Sequence, residues 1–396
     1  MAVHTRLGAS SGKGQEMEER LRAYFLSLGY YVLRGVKFTY NRFDVTDVDL
    51  WLYLRPTPIS RERCNVDIKN KKTPQALERI FWAKGIQRVL GLERCVVATT
   101  DSRPDVAAFG LAHEVTVLDG TFLARLEKSS RSTTERLTEE EFLELVDRAS
   151  LGKVGGDWKG GYERSKARVL TGLDFDGANQ WLREIGALLD THLSGPVQGD
   201  AALRLMYANV GMLLVAIDFV MQGCLSMDSE QRRQYLTDGF RYGNNGKSAA
   251  EGIVRVAARL VSAATGQGAA MEIVHRELQQ QFSSVRAEVL GEFFAKAGAQ
   301  GAIIGAARDF EAAAFSVHPP LPGDLATAGQ AVMGTLADHF GRDRKKVLAT
   351  RPVSSAESPV AARAGIAEVV PAAPTSVNRV AEQDAAEPEP GSDATG

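Results

Sequence analysis

A chain of 396 residues exceeds one ordinary hydrophobic core, so two domains are expected. With 44% apolar residues and a formal net charge of −2, the composition is that of a globular, soluble protein and by itself points to no partner. Three distant cysteines, Cys64, Cys95 and Cys224, form no CxxC pair, which argues against zinc and for a reducing compartment. The charge is uneven. Residues 1–130 hold 20 Lys+Arg against 15 Asp+Glu, a surplus of 20 − 15 = 5 that is compatible with a polyanion. The opening MAVHTRLGASSGKG has no apolar core and does not read as a signal peptide. The most apolar helix, near Leu203–Leu225, is interrupted by Arg204, Asn209, Asp218 and Gln222 and reads as a buried helix, so a cytoplasmic protein without a membrane span is expected.

In chain order, residues 1–14 read as flexible. A helix follows over Gln15–Leu28, with Met17, Leu21, Tyr24, Phe25 and Leu28 on one stripe and Gly29 as its stop. Glu18 borders that stripe; alone, it could be a solvated first-turn acid favoured by the helix dipole. Tyr30–Val36 reads as a strand, Lys37–Thr46 as a connection, and Arg55–Arg63 as a surface turn between two further strands. Thr73-Pro74 reads as a cap for a helix reaching Leu90 that buries Leu77, Ile80, Phe81 and Val89. Arg79, Lys84 and Arg88 fall outside that set, as a solvated face or as contacts for phosphates. Arg94–Thr100 is a continuously apolar strand typical of a sheet covered on both sides. A helix (Pro104–Ala112) and a last strand (Val115–Leu118) lead through Asp119-Gly120 into Phe122–Leu126.

The expected architecture is an α/β domain over 15–128, a mixed central sheet flanked by helices, followed by an all-α domain over 174–345. Between them, 129–173 reads as a linker with one short charged helix (Glu139–Ala149). Its glycine-rich stretch, GKVGGDWKGGYERSK, places Trp158 and Tyr162 among lysines and could meet a nucleic acid, although a linker is the simpler account. Helices are expected over Asp176–Leu193, Ala201–Leu225, Ser229–Arg241, Ser248–Thr265, Ala270–Ala297, Gly301–Phe315 and Gly323–Phe340. Residues 346–396, rich in Ala, Pro, Ser and Glu, read as a disordered tail.

Ordinary packing does not explain Asp47–Lys72. In Asp47–Leu54 the apolar Val48, Leu50, Leu52 and Leu54 alternate with Asp49, Trp51 and Tyr53; in Cys64–Asn70, Val66 and Ile68 alternate with Asp67 and Lys69. Each strand thus has an aliphatic face and one that presents charge. Strands disfavour Asp and Lys, so two neighbouring strands carrying Asp49, Asp67 and Lys69 suggest a built site. Converging carboxylates require a cation, and hard oxygen ligands suit Mg²⁺. Other chemistries lack support. Tyr242–Ser248 (YGNNGKS) lacks the first glycine of a phosphate-binding loop, whose place is taken by Arg241, and GASSGKG is one residue too short. The six histidines show no ligand spacing, and GxSxG, HExxH and paired Cys/His motifs are absent.

With Met17-Glu18-Glu19 eleven residues before Gly29-Tyr30, then Asp47-Val48-Asp49, Asp67-Ile68-Lys69 and the late apolar strand ending in Leu118-Asp119-Gly120, the first part of the chain resembles the PD-(D/E)xK, or restriction-endonuclease-like, nucleases, and among them the Mrr-type enzymes. The resemblance covers about residues 14–128. It departs in lacking the motif's proline, Val48 standing before Asp49, and in having Asp67 where Glu is commoner; the helical region matches nothing recognisable. The resemblance implies a DNA endonuclease with Mg²⁺ (or Mn²⁺) held by Asp49 and Asp67, with Glu18 completing the shell. Lys69 would orient or activate the attacking water. Lys71 and Lys72, with Arg79 and Lys84, would hold the DNA backbone, and a homodimer acting in restriction or defence against foreign DNA would be expected. The alternative is an inert DNA-binding or assembly module that keeps the nuclease fold. In a third reading a ligand or protein bound at the helical domain switches an effector in the first half.

Overall fold

The structure is a computed structural model, and it describes residues 12–349 apart from 42, 72–74, 130–135, 151–155, 196–198 and 266–267. Five strands form one mixed sheet in the order β1 (Tyr31–Tyr40), β2 (Phe43–Thr57), β3 (Ser60–Lys69), β4 (Arg94–Thr99), β5 (Thr116–Leu118). The first three are antiparallel neighbours, while β4 and β5 add parallel to β3. Parallel neighbours need a crossover, and helices α2 (Ala76–Leu90) and α3 (Pro104–Ala112) supply the two. Helices α1 (Lys13–Ser27) and α4 (Gly120–Ser129) flank the chain ends of this region. A mixed sheet with helices therefore precedes a mostly helical region, as the sequence leads one to expect.

Several local expectations are corrected. Lys37–Thr46 is a strand hairpin, with Tyr40 opposite Phe43, and Arg55–Arg63 is largely strand that turns between Thr57 and Ser60. Residues Phe122–Leu126 lie in helix α4. The cap expected at Thr73-Pro74 lies outside the described residues; α2 starts after Gln75, which has φ 49°. Its buried face is Ala76, Ile80, Ala83, Ile86 and Leu90, whereas Leu77, Phe81 and Val89 are exposed. Two alanines let the helix lie close on β3 and β4, which pushes the bulkier residues out.

The larger correction concerns the far face of the sheet. Leu50, Leu52, Val66 and Ile68 pack with Met17, Leu21, Phe25 and Leu123 under α1 and α4. Cys95 and Val97 pack under α2 and α3. Trp51 and Tyr53, expected on a face presenting charge, are fully buried together with Tyr31 and Leu33 against the helical region. Tyr53 donates to buried Asp218 at 2.7 Å, and Arg55 and Arg61 complete that carboxylate's shell at 2.8 and 2.6 Å. A buried carboxylate needs such partners to persist ionised.

The intervening stretch is packed too. Helix α5 (Glu139–Ala149) buries Phe142 and Val146, and α6 (Trp158–Ala167) covers the later part of the glycine-rich segment and buries Tyr162, whose ring is tilted against Phe142 at 4.9 Å. Beyond it come α7 (Phe175–Ser194), α8 (Gly199–Val220), α9 (Ser229–Tyr242), α10 (Gly246–Thr265), α11 (Gly268–Ser284), α12 (Ala287–Ala295), α13 (Ala297–Phe315), α14 (Thr327–Phe340) and the short α15 (Arg344–Val347). The single helix expected over Ala270–Ala297 is thus broken around Val285-Arg286 into α11 and α12. A span around α8, Gly199–Cys224, is long and apolar enough to cross a membrane, and 89% of its most apolar window is buried in the protein. Its polar residues have partners: Arg204 donates to the carbonyls of Ala314 and Val317, and Asn209 to that of Leu205. The expected flexible start (1–14) and disordered tail (346–396) fall largely outside the described residues, except that Lys13, Gly14, Lys346 and Val347 are helical.

Candidate active site

The site stands where β2 and β3 part. Their ladder is paired without a break from Leu54–Glu62 to Leu50–Val66, and one residue further come Asp49 and Asp67. There backbone pairing gives way: the carboxylate of Asp49 itself accepts the Ile68 amide at 2.6 Å. The usual alternation of faces also breaks here. Gly35 of β1 takes φ 58°, the left-handed region that suits glycine. Arg34 on one side of it engages α1, while Val36 on the other joins the helical core. Val48, opposite Val36, follows it into that core, which leaves Asp49 within electrostatic range of Glu18 on α1.

Each acid has its own environment. Glu18 lies beneath Arg34, whose Nε donates to it at 2.7 Å. Burial nevertheless raises its pKa, opposed by Arg34 and reinforced by the charge of Asp49. Burial likewise raises the pKa of Asp49, against the Ile68 amide and the charges of Lys69 and Arg79. Asp67 is buried and gripped by Arg79, with Nε at 2.7 Å from one carboxylate oxygen and Nη2 on the other. Lys69 is half-buried at the end of β3 and near enough to lower the cost of charging Asp49.

Among the described residues, no three His, Cys, Asp or Glu side chains converge as a metal cluster in this conformation. The donor set still fits a hard divalent cation. It is all carboxylate, and two of its members, Glu18 and Asp49, are pushed toward protonation chiefly by burial, a penalty that a bound cation relieves.

The residues expected to hold DNA are placed unevenly. Lys71 is exposed, its carbonyl accepting from Thr100 Oγ1, and Lys72 lies outside the described residues. Arg79 is taken up by Asp67, and Lys84 pairs with Glu114 at 3.1 Å. Arg88 is exposed. Between these cations α2 presents Phe81 and Trp82, both exposed; the Arg79 guanidinium sits 5.7 Å from the Trp82 ring, and Phe81 meets Phe109 edge to face.

The sequence reading passed over Arg34 and the acids that hold it. Besides Glu18, Arg34 binds Glu19 at 2.8 Å and Glu140 of α5 through both terminal nitrogens. Beside it, fully buried Arg22 reaches Glu311 of α13 at 2.7 Å and Glu139 at 3.3 Å, and Lys166 reaches Glu139 at 2.6 Å. Glu19, one residue beyond the candidate ligand, is therefore a structural acid whose pKa Arg22 and Arg34 hold down against its burial. The available signal was an arginine inside the apolar strand YVLRGV. The chain matches no protein-family model, no curated protein and no solved structure.

Proposed function

We propose that the protein is a metal-dependent endonuclease of the PD-(D/E)xK kind, hydrolysing DNA phosphodiester bonds. What supports this reading is that Asp49 and Asp67 follow directly on the last paired residues of β2 and β3, with Lys69 two residues on and Glu18 within electrostatic range of Asp49 from α1. Asp49, Asp67 and Glu18 would hold Mg²⁺ or Mn²⁺, which when bound lowers the pKa of water and neutralises phosphate charge. Lys69 supplies an ammonium within electrostatic range of Asp49. It donates to the attacking water and counters the charge that develops on the phosphorane-like transition state. Arg79 stands at the boundary between this centre and the aromatic face of α2. Once released from Asp67 it can pair with a backbone phosphate, while Phe81 and Trp82 offer apolar faces to nucleotides. Three buried, free thiols suit a reducing cytoplasmic setting, and restriction or defence against foreign DNA is the role in keeping with the resemblance.

A second reading, an inert DNA-binding or assembly module, is favoured by one observation: the two-pronged Arg79 pair already satisfies Asp67. Plasmid incubated with and without Mn²⁺ separates the readings. Metal-dependent nicking that falls at least 100-fold in Asp67→Ala and in Lys69→Ala is expected. Undiminished cleavage by both variants removes this site from the mechanism. DNA binding with no heat on Mn²⁺ titration identifies the inert module.

A further inference from the structure

Arg34 is held at both ends by the helices that follow the sheet. Its carbonyl accepts from Lys166 of α6 at 2.7 Å, directly before the turn that Gly35 makes in β1. Its side chain, 4% exposed, spreads its donors over three acids. Nη1 and Nη2 each donate to one oxygen of Glu140 on α5, at 2.8 and 2.7 Å. Nη1 also reaches Glu19 at 2.8 Å, and the same Glu19 oxygen accepts the Glu139 amide at 3.0 Å, so α1 is pinned to the start of α5 beside this fork. That leaves Nε, which donates to Oε2 of Glu18 at 2.7 Å.

Glu18 is thereby anchored by one oxygen only. Its Oε1 takes no hydrogen bond from the described residues, and the side chain is 24% exposed and within electrostatic range of Asp49. An unanchored glutamate has three rotatable bonds, and a cation that binds it has to oppose the entropy of ordering them. Fixing one oxygen beforehand removes much of that cost and keeps the other for the cation, as partners behind a metal ligand commonly do.

We propose that Arg34 is a positioning residue of the metal centre, presenting Oε1 of Glu18 to the cation, and that Glu140 keeps the guanidinium in that role. This role rests on the endonuclease reading, in which Glu18 is a ligand. Without the two acceptors of Glu140, the Nη groups of Arg34 are free to turn onto Oε1 of Glu18 and close on it in the two-pronged manner in which Arg79 closes on Asp67. The fork itself is required and not the charge alone, since a lysine cannot serve both acids in fixed geometry. Glu140 and Lys166 both lie beyond the sheet, so the centre built on β2, β3 and α1 is completed from α5 and α6.

Calorimetric titration of the full chain with Mn²⁺ tests this role, with circular dichroism melts to show that each variant is folded. Glu18→Gln, Arg34→Lys and Glu140→Ala should each weaken Mn²⁺ binding about tenfold or more. In a chain that already carries Glu18→Gln, neither Arg34→Lys nor Glu140→Ala should change the affinity that remains, because both act through that carboxylate. Glu140, with its side chain one-third exposed, tolerates substitution more readily and decides the matter where Arg34→Lys does not fold. Losses that persist in the Glu18→Gln chain would make Arg34 and Glu140 structural residues and overturn the role. Unchanged affinity in folded Glu140→Ala overturns it as well, and both results leave the endonuclease reading standing. A folded wild type that takes up no Mn²⁺ overturns that reading and this role with it.

Discussion

Arg79 and Asp67 form a two-pronged ion pair at the centre of the candidate site, Nε standing 2.7 Å from one carboxylate oxygen and Nη2 on the other. The guanidinium therefore occupies the donor atoms that a metal would need, and serves as the resident cation of a buried acid. Charge-assisted bonds of this kind contribute about 1.5–3 kcal/mol. Replacing the competitor by Arg79→Gln is expected to tighten Mn²⁺ binding by about tenfold in calorimetry. The same change should loosen DNA binding, since it also removes the cation proposed for the phosphate. Unchanged Mn²⁺ affinity would show that Asp67 is not a ligand.

Asp49 is expected to be dispensable for the fold and required for the metal. Its pKa is raised by burial, so the folded state favours the neutral carboxyl and gives up stability as pH rises through that value. Asp49→Asn keeps an oxygen for the Ile68 amide and removes the charge. Its melting temperature should equal or exceed the wild type's at neutral pH, while Mn²⁺ binding falls at least tenfold. A variant that melts well below the wild type would assign Asp49 a structural role.

The opposite sign applies to Glu311. Arg136 and Arg22 hold its pKa down against complete burial, so the stability it contributes is present above the ordinary carboxylate range and is lost as pH falls through its lowered value. Glu311→Ala leaves Arg22 and Arg136 short of a partner inside the protein and should cost about 3–5 kcal/mol in urea unfolding at pH 7. The wild-type advantage over this variant should shrink as the solution is acidified below the carboxylate range. A loss under about 1 kcal/mol would mean that water reaches these arginines.

Residues 1–150 should not fold independently. Cutting there exposes Tyr31, Leu33, Val36, Trp51 and Tyr53, all buried now, and strips Arg22 of Glu311 and Tyr53 of Asp218. The fragment is expected to bind a hydrophobic dye and to unfold without a cooperative transition. A sharp melt would show that the helical region is an appended domain.

Much of the first region was legible because local rules dominate it. The alternation in DLWLYL, the apolar run RCVVAT and the Gly29 stop each match an element in type and nearly in position. The strand placement of Asp49, Asp67 and Lys69 was legible for the same reason, and charged residues there stand out because strands disfavour them. The face of α2 was not legible, because hydrophobic size suggested Leu77, Phe81 and Val89, and close approach to the sheet selected Ala76 and Ala83. Phe81 and Trp82 consequently lie outside, Phe81 against Phe109 and Trp82 beside Arg79.

By itself the sequence determined most of the helices and strands of the first region, and the three charged positions on β2 and β3, since these follow from residue spacing over a few turns or pleats. Only the tertiary structure decided what covers Trp51 and Tyr53, that Arg34 ties Glu18 to α5, and that Arg79 closes on Asp67. These are pairings between residues 12 to 165 positions apart, such as Arg79 with Asp67 or Tyr53 with Asp218. Burial makes them necessary, because a charge taken out of water must find a partner wherever the fold brings one.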